Sequence, residues 1–158
     1  MEKYIEPFIA VCASVFKDFL GCRLEAGYPF FVTRAQTQDW DLSALIGLSG
    51  EAEGAVALSL KTELALAITG KLTGKTHTYL DEEVIDAVGE IVNIIAGNVK
   101  QKLEEHFNLV ISLPSIIKGR GHEIIWPGSH IRIMCIPFTL PEGRIFHLSV
   151  AISSVKGN

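Results

Sequence analysis

The sequence predicts one α+β domain in which a mostly antiparallel sheet carries long helices on one face. Three observations carry that expectation. Segments with the 3.6-residue period of helices and shorter segments with strand patterns follow one another as helix, strands, helices, strands, an order that segregates helices to one side of a sheet. The 158 residues, 48% hydrophobic and 20% charged, have the size and apolar share of a single core. No Pro-, Gly- or Ser-rich linker and no low-complexity tract divides them, so residues 1–158 are expected to form one domain.

Taken in order, residues 2–20 place Ile5, Phe8, Ile9, Cys12, Val15, Phe16 and Phe19 at helical spacing, and Gly21 follows as a stop. An amphipathic helix lying on the core is predicted there. Strand patterns come next at 29–36, 41–49 and 54–60, the last two joined by Gly50-Glu51-Ala52-Glu53-Gly54, which has the turn chemistry of a hairpin. A short helix capped by Thr62 and rich in Leu and Ala runs to 72, with Gly70 and Gly74 weakening its end. The longest periodic segment opens at Asp81, a good N-cap, with Glu82 and Glu83 at the positive end of the helix dipole, and extends to about residue 106. Strand patterns return at 110–113, 115–118 and 130–138, and Pro141-Glu142-Gly143 turns the chain into a last strand at 144–153. Pro114 and Pro127 point to short or edge strands in this half.

Charge and cysteine content exclude several classes. The net charge is −4 and the basic residues are scattered with no run of three, so the footprint of a nucleic-acid binder is missing. Cys12, Cys22 and Cys135 are odd in number, lack CxxC spacing and sit in apolar surroundings, which reads as core packing in a reducing compartment. Ile9-Ala10-Val11-Cys12 superficially looks like part of a secretory or lipoprotein signal. Against that, Glu2 and Glu6 offset Lys3, Pro7 interrupts, and the uncharged stretch ends at Lys17 and Asp18 without a small-residue cleavage site. No apolar run approaches the roughly 20 residues that span a bilayer. The expectation is a soluble, cytoplasmic protein with no membrane partner.

The long helix is the most specific part of the chain. At about 100° per residue, Val84, Val88, Ile91, Ile95, Val99 and Leu103 form one stripe, which is expected to be buried. The opposite side carries Asp86, Glu90, Asn93, Gly97 and Lys100. Glu90 and Asn93 are three apart, so their side chains are neighbours aimed at one patch. Gly97 lies one turn further along and Gly89 on the flank, where missing side chains let another backbone approach. Each interior glycine costs roughly 1 kcal/mol relative to alanine. Spacing alone does not separate such a pair from an ordinary solvated surface.

Other constellations are weaker. In Gly70-Lys71-Leu72-Thr73-Gly74-Lys75-Thr76 the first glycine is one residue too close for a phosphate-binding loop, and the segment follows a helix instead of a strand. His77, His106, His122, His130 and His147 show no metal-ligand spacing, so no metal of the chain's own is expected. Ser49 and Ser115 lie in no nucleophile-elbow pattern. Trp40 and Trp126 are read as packing or interface residues.

The run from Asp86 to Asn98, which reads Asp-Ala-Val-Gly-Glu-Ile-Val-Asn-Ile-Ile-Ala-Gly-Asn, resembles the signature helix of the CheC/CheX/FliY phosphatase family, whose core is a Glu and an Asn separated by two residues. Four further stretches resemble the CheX branch. They are Tyr4-Ile5-Glu6-Pro7-Phe8 with Val15-Phe16 and Leu20-Gly21, the strand pair at 44–50 and 54–59, the run at 114–119, and Ile136-Pro137-Phe138. Only one Glu and Asn pair is present, because Glu6 is followed three residues on by Ile9, and this too is similar to CheX rather than the two-site CheC.

The resemblance implies a CheC/CheX-like fold and a phosphatase acting on the aspartyl phosphate of a CheY-like receiver domain. It implies Glu90 and Asn93 as the catalytic pair, with Asp86, Gly97 and Asn98 at the partner-binding rim. It further implies no cofactor of the chain's own, Mg²⁺ on the partner receiver, and a homodimer joined at sheet edges. In the implied mechanism Asn93 orients the attacking water and Glu90 pairs with the receiver's lysine. A non-catalytic dimeric scaffold that binds receivers through the same face is the alternative.

Overall fold

The computed structural model describes residues 2–32, 39–126 and 131–155. Residues 33–36 of the predicted strand 29–36, Pro127, and His130 at the start of the predicted strand 130–138 lie outside them. A single turn of 3₁₀ helix (Glu2–Tyr4) leads into α1 (Ile5–Leu20). Two short strands, β1 (Glu25–Ala26) and β2 (Phe30–Phe31), precede the hairpin of β3 (Leu42–Gly50) and β4 (Ala52–Leu60). Then come α2 (Thr62–Thr73), α3 (Glu82–Leu103), β5 (Leu109–Ile111), β6 (Ser115–Lys118), β7 (Met134–Thr139) and β8 (Ile145–Ser154).

Every strand pair is antiparallel, in the order β1-β7-β8-β4-β3-β5, with β2 also on β7 and β6 also on β3. Strand alternation decides which residues meet the helices. Leu42, Ala44, Ile46 and Leu48 of β3, Val56, Leu58 and Leu60 of β4, and Phe146, Leu148, Val150 and Ile152 of β8 join the helices in one core. α1 is seated by stacked rings: Phe16 lies 4.7 Å from Phe146, which lies 5.2 Å from Phe138. Offset by one residue, the far face is floored by Ser43, Ala57, Ser59, Cys135, Ser149 and Ala151, all buried. Gly54 permits a close strand approach, since a Cβ there would lie 1.8 Å from the Ala151 carbonyl oxygen.

Several predicted details change. The predicted cap on α2 comes from elsewhere: Asp41, at the foot of β3, accepts from both the backbone N–H and the hydroxyl of Thr62, at 2.8 and 2.9 Å. Those bonds, the backbone N–H first, hold the Asp41 carboxyl below the usual carboxylate range. The sequence shows only a local Thr, whereas the better acceptor arrives through the β3–β4 pairing, in which Leu42 lies opposite Leu60. Phe19 keeps helical spacing yet is exposed, while its neighbour Leu20 is buried and closes the C-terminal end of α1 onto the core. α3 ends at Leu103, three residues early, and Phe107 then tucks under the edge of the Tyr4 ring at 4.9 Å.

Candidate functional site

α3 begins where the sequence places it. The Asp81 carboxylate accepts from the Val84 backbone N–H at 2.9 Å, and Glu82 and Glu83 occupy the first turn. Its predicted buried stripe of Val84, Val88, Ile91, Ile95, Val99 and Leu103 is buried throughout. Gly89, Val92 and Ala96 are buried as well, so the covered arc is wider than the stripe, because α3 packs against β3 to β6 on one side and α1 and α2 on the other. A rod of 22 residues, about 33 Å long, is thereby clamped along both flanks with one narrow face open.

That face carries the predicted pair. Glu90 is exposed and Asn93 is half-buried. The only buried side-chain polar atom without a hydrogen bond among the described residues is Nδ1 of His147, so the Asn93 amide reaches solvent. Asp86 is exposed, and a Cβ on Gly97 would meet nothing within 4 Å. At about 100° per residue, Asp86, Glu90, Asn93 and Gly97 share an arc of roughly 60°. Asn98 is exposed but lies roughly 80° round from Glu90 on the side away from Asn93, outside that arc. The predicted open approach at Gly89 is corrected, since its Cβ position is already met by Pro114 Cγ at 3.6 Å and Ile116 Cδ1 at 3.5 Å of the same chain.

Electrostatically the Asp86 and Glu90 end of the face is acidic, and Lys100 stands near its far end. Asp86 and Glu90 stand four apart, a like-charge spacing that costs a few tenths of a kcal/mol in an isolated helix, and among the described residues neither forms a salt bridge. A basic group from outside the chain would relieve it. Among the described residues no group of three or more His, Cys, Asp or Glu gathers as a metal site, and no helix is long and apolar enough to cross a membrane.

One constellation escaped sequence reasoning. Ser43 Oγ lies 2.7 Å from His122 Nε2 and 2.8 Å from Ser59 Oγ, while His122 Nδ1 is 2.7 Å from the Gly119 carbonyl. A carbonyl only accepts, so Nδ1 carries a proton, and in the neutral ring Nε2 accepts from Ser43. The set resembles a nucleophile and base, but Ser43 is fully buried and a carbonyl stands where an acid would orient the ring. It straps the loop after β6 onto the far face of the sheet. Residues 79 apart in sequence offer no local signal for it.

A family profile described as chemotaxis phosphatase CheX matches residues 42–139, from the start of β3 to the end of β7, well over half of the chain. The chain belongs to the chemotaxis phosphatase CheX family. The CheX match takes in the whole of α3 and both sides of the hairpin beneath it. Among CheX relatives, the CheY-P phosphatase CheX of Thermotoga maritima is 29% identical over 94% of this chain and 96% of its own. CheX from Vibrio vulnificus superposes with a TM-score of 0.86 at 27% identity, covering 96% of this chain and 99% of that one. The CheX of a complex with CheY, BeF₃ and Mg²⁺ from Borrelia burgdorferi superposes at 0.79 with 31% identity, covering 96% and 98%. As a CheX-family phosphatase, the chain is a hydrolase.

Proposed function

We propose that the chain removes the phosphoryl group from the aspartyl phosphate of a CheY-like response regulator in chemotaxis signalling, with Asn93 orienting the attacking water and Glu90 docking the receiver's lysine. The observation that carries this is one acidic and one amide side chain, side by side and solvent-reachable, on a helix clamped along both flanks.

Hydrolysis of an acyl phosphate asks for an oxygen held in line and for charge on the transferred group to be met, with little covalent work from the protein. The receiver supplies the charge through its own Mg²⁺ and lysine. What this chain adds is position. The Asn93 carbonyl oxygen accepts from the water while its NH₂ donates to a phosphoryl oxygen. An amide is no general base, so the gain is orientation rather than proton abstraction. Glu90 sets register, a role that needs little net affinity from an exposed pair. Asp86 and Gly97 sit at the rim, the glycine leaving room for a receiver backbone, with Asn98 further round.

A homodimer joined at sheet edges belongs to the same reading; β5 and β6 on one side and β1 and β2 on the other leave short edge segments that such pairing can use. A cytoplasmic setting suits three free thiols. The non-catalytic scaffold reading is less well supported, since binding alone gives an exposed amide beside Glu90 nothing to do.

The test is phosphate release from a phosphorylated receiver. Asn93→Ala is expected to lower release to the receiver's intrinsic rate while receiver binding persists, and Glu90→Ala to weaken productive docking. Unchanged release by Asn93→Ala removes that residue from the mechanism, and no acceleration by the wild-type chain favours the scaffold.

A further inference from the structure

We propose that Leu113 is a preset apolar anchor for the receiver on the Asn93 side of the site. The inference rests on the reading above and names a surface that the catalytic pair does not include.

Leu113 sits in the three-residue connection 112–114 between β5 and β6 and is 86% exposed. A single exposed leucine is ordinary on a protein surface. What distinguishes this one is how firmly its backbone is held. Ser112 N–H donates to the Gly47 carbonyl at 2.9 Å, and Ser112 Oγ accepts from Gly47 N–H at 2.8 Å. The same hydroxyl donates to the carbonyl of Leu113 itself at 2.9 Å. On the other side, the Pro114 ring fills the space beside Gly89, and Ser115 is already paired with Leu45. The segment is pinned to β3 before Leu113 and to α3 and β3 after it, yet the side chain between is turned out to water.

Holding an apolar side chain outward on a fixed backbone lowers the ordering cost of docking onto it. Its position suits one occupant. Around the α3 axis, Asn93 lies roughly 60° from Glu90, and Gly89, with Pro114 against it, lies about 40° beyond Asn93 in the same sense. A partner whose lysine meets Glu90 and whose phosphoryl group meets Asn93 therefore continues onto the Leu113 connection. The acidic side of the site takes the cation, and the opposite side offers an apolar contact. The partner is thus a receiver bearing an apolar patch across the phosphoryl site from its lysine.

The experiment titrates the chain with a CheY receiver carrying beryllofluoride and Mg²⁺, and separately measures phosphate release as kcat and KM. Leu113→Ser is expected to raise Kd and KM about ten-fold with kcat unchanged, the size of effect a truncated interface anchor produces. Ile125→Ser, which removes a similarly exposed apolar side chain (84%) from the loop after β6 that His122 ties to Ser43, is expected to leave both constants unchanged. Leu113→Met, which keeps the contact apolar, should restore tight binding and also shows that the loop folds. Unchanged binding by Leu113→Ser overturns the anchor, as does equal weakening by Leu113→Met or by Ile125→Ser. If the wild-type chain binds the loaded receiver and Leu113→Ser does not, but no phosphate is released, the catalytic reading fails and the anchor stands. Release with unchanged Leu113→Ser binding sinks the anchor alone.

Discussion

The Asp81 carboxylate holds the Val84 backbone N–H at 2.9 Å, and its other oxygen lies 3.7 Å from Nδ1 of His77. This contact caps the first turn of α3, two turns ahead of Glu90, while the buried stripe fixes the phase in which the helix presents Glu90 and Asn93. Removing it by Asp81→Ala is expected to cost about 1 kcal/mol, a fall of roughly 3 °C in Tm. Phosphate release at low temperature should persist, because the packed stripe from Val88 onward still fixes the helix. Thermal unfolding followed by circular dichroism, with Asp81→Ser as the conservative control, checks both parts.

Gly97 separates stability from function. A Cβ there meets nothing within 4 Å, so Gly97→Ala relieves the entropic cost of an interior helical glycine without a clash. Stability should rise by up to about 1 kcal/mol. Gly97→Leu should fold as well, yet lower receiver-dependent phosphate release by blocking the approach of the partner's backbone. Denaturant midpoints and release rates measured side by side decide it; a Gly97→Leu variant with full activity removes Gly97 from the rim.

His147 gives the fold a pH dependence. Its Nδ1 is buried without a partner among the described residues, with the Trp40 ring 4.8 Å and the Phe30 ring 6.0 Å away. Burial lowers its pKa below the ordinary histidine value. The unfolded chain, titrating near 6.5, therefore takes up the proton first. Stability is full above about pH 6.5, falls as the pH drops below it, and stops falling once the pH passes below the lowered native value. His147→Phe, which keeps the aromatic packing, should flatten this slope. Urea midpoints at several pH values between 8 and 5, for wild type and variant (all within the ordinary histidine range), measure it; equal slopes refute the assignment.

The three thiols should react unequally. Burial alone pushes the Cys12 thiol far above its ordinary range, and burial, opposed by a hydrogen bond with Ser149, leaves Cys135 pushed up to about 12. Cys22 is half-buried and donates to the Leu20 carbonyl at 3.4 Å. A thiol-disulfide reagent should label Cys22 alone in the native protein and Cys12 and Cys135 only after denaturation. Rapid native labelling of Cys12 would contradict the packing of α1.

The helices were legible in the sequence because their information is local. Asp81 caps, Val84 to Leu103 repeat on one side, and Glu90 and Asn93 share the other by spacing alone. Strands were legible as segments, but the sequence does not say which strand lies beside which. The sheet order, the pairing of β5 and β6 side by side on β3, and the short β1 and β2 strands on β7 depend on partners far away in the chain.

For the same reason the sequence by itself determined that one acid and one amide stand together on a long helix, while only the tertiary structure decided what surrounds them. Gly89 looked open from its helix and is closed by Pro114, a residue of another element. Asp41 caps α2 because strand pairing carries it there, and His122 meets Ser43 across 79 residues. Helical hydrogen bonds join residues four apart, so a short stretch of sequence contains both partners. Sheet pairing and loop docking join residues tens of positions apart, and which of them meet is settled by the collapse of the whole core.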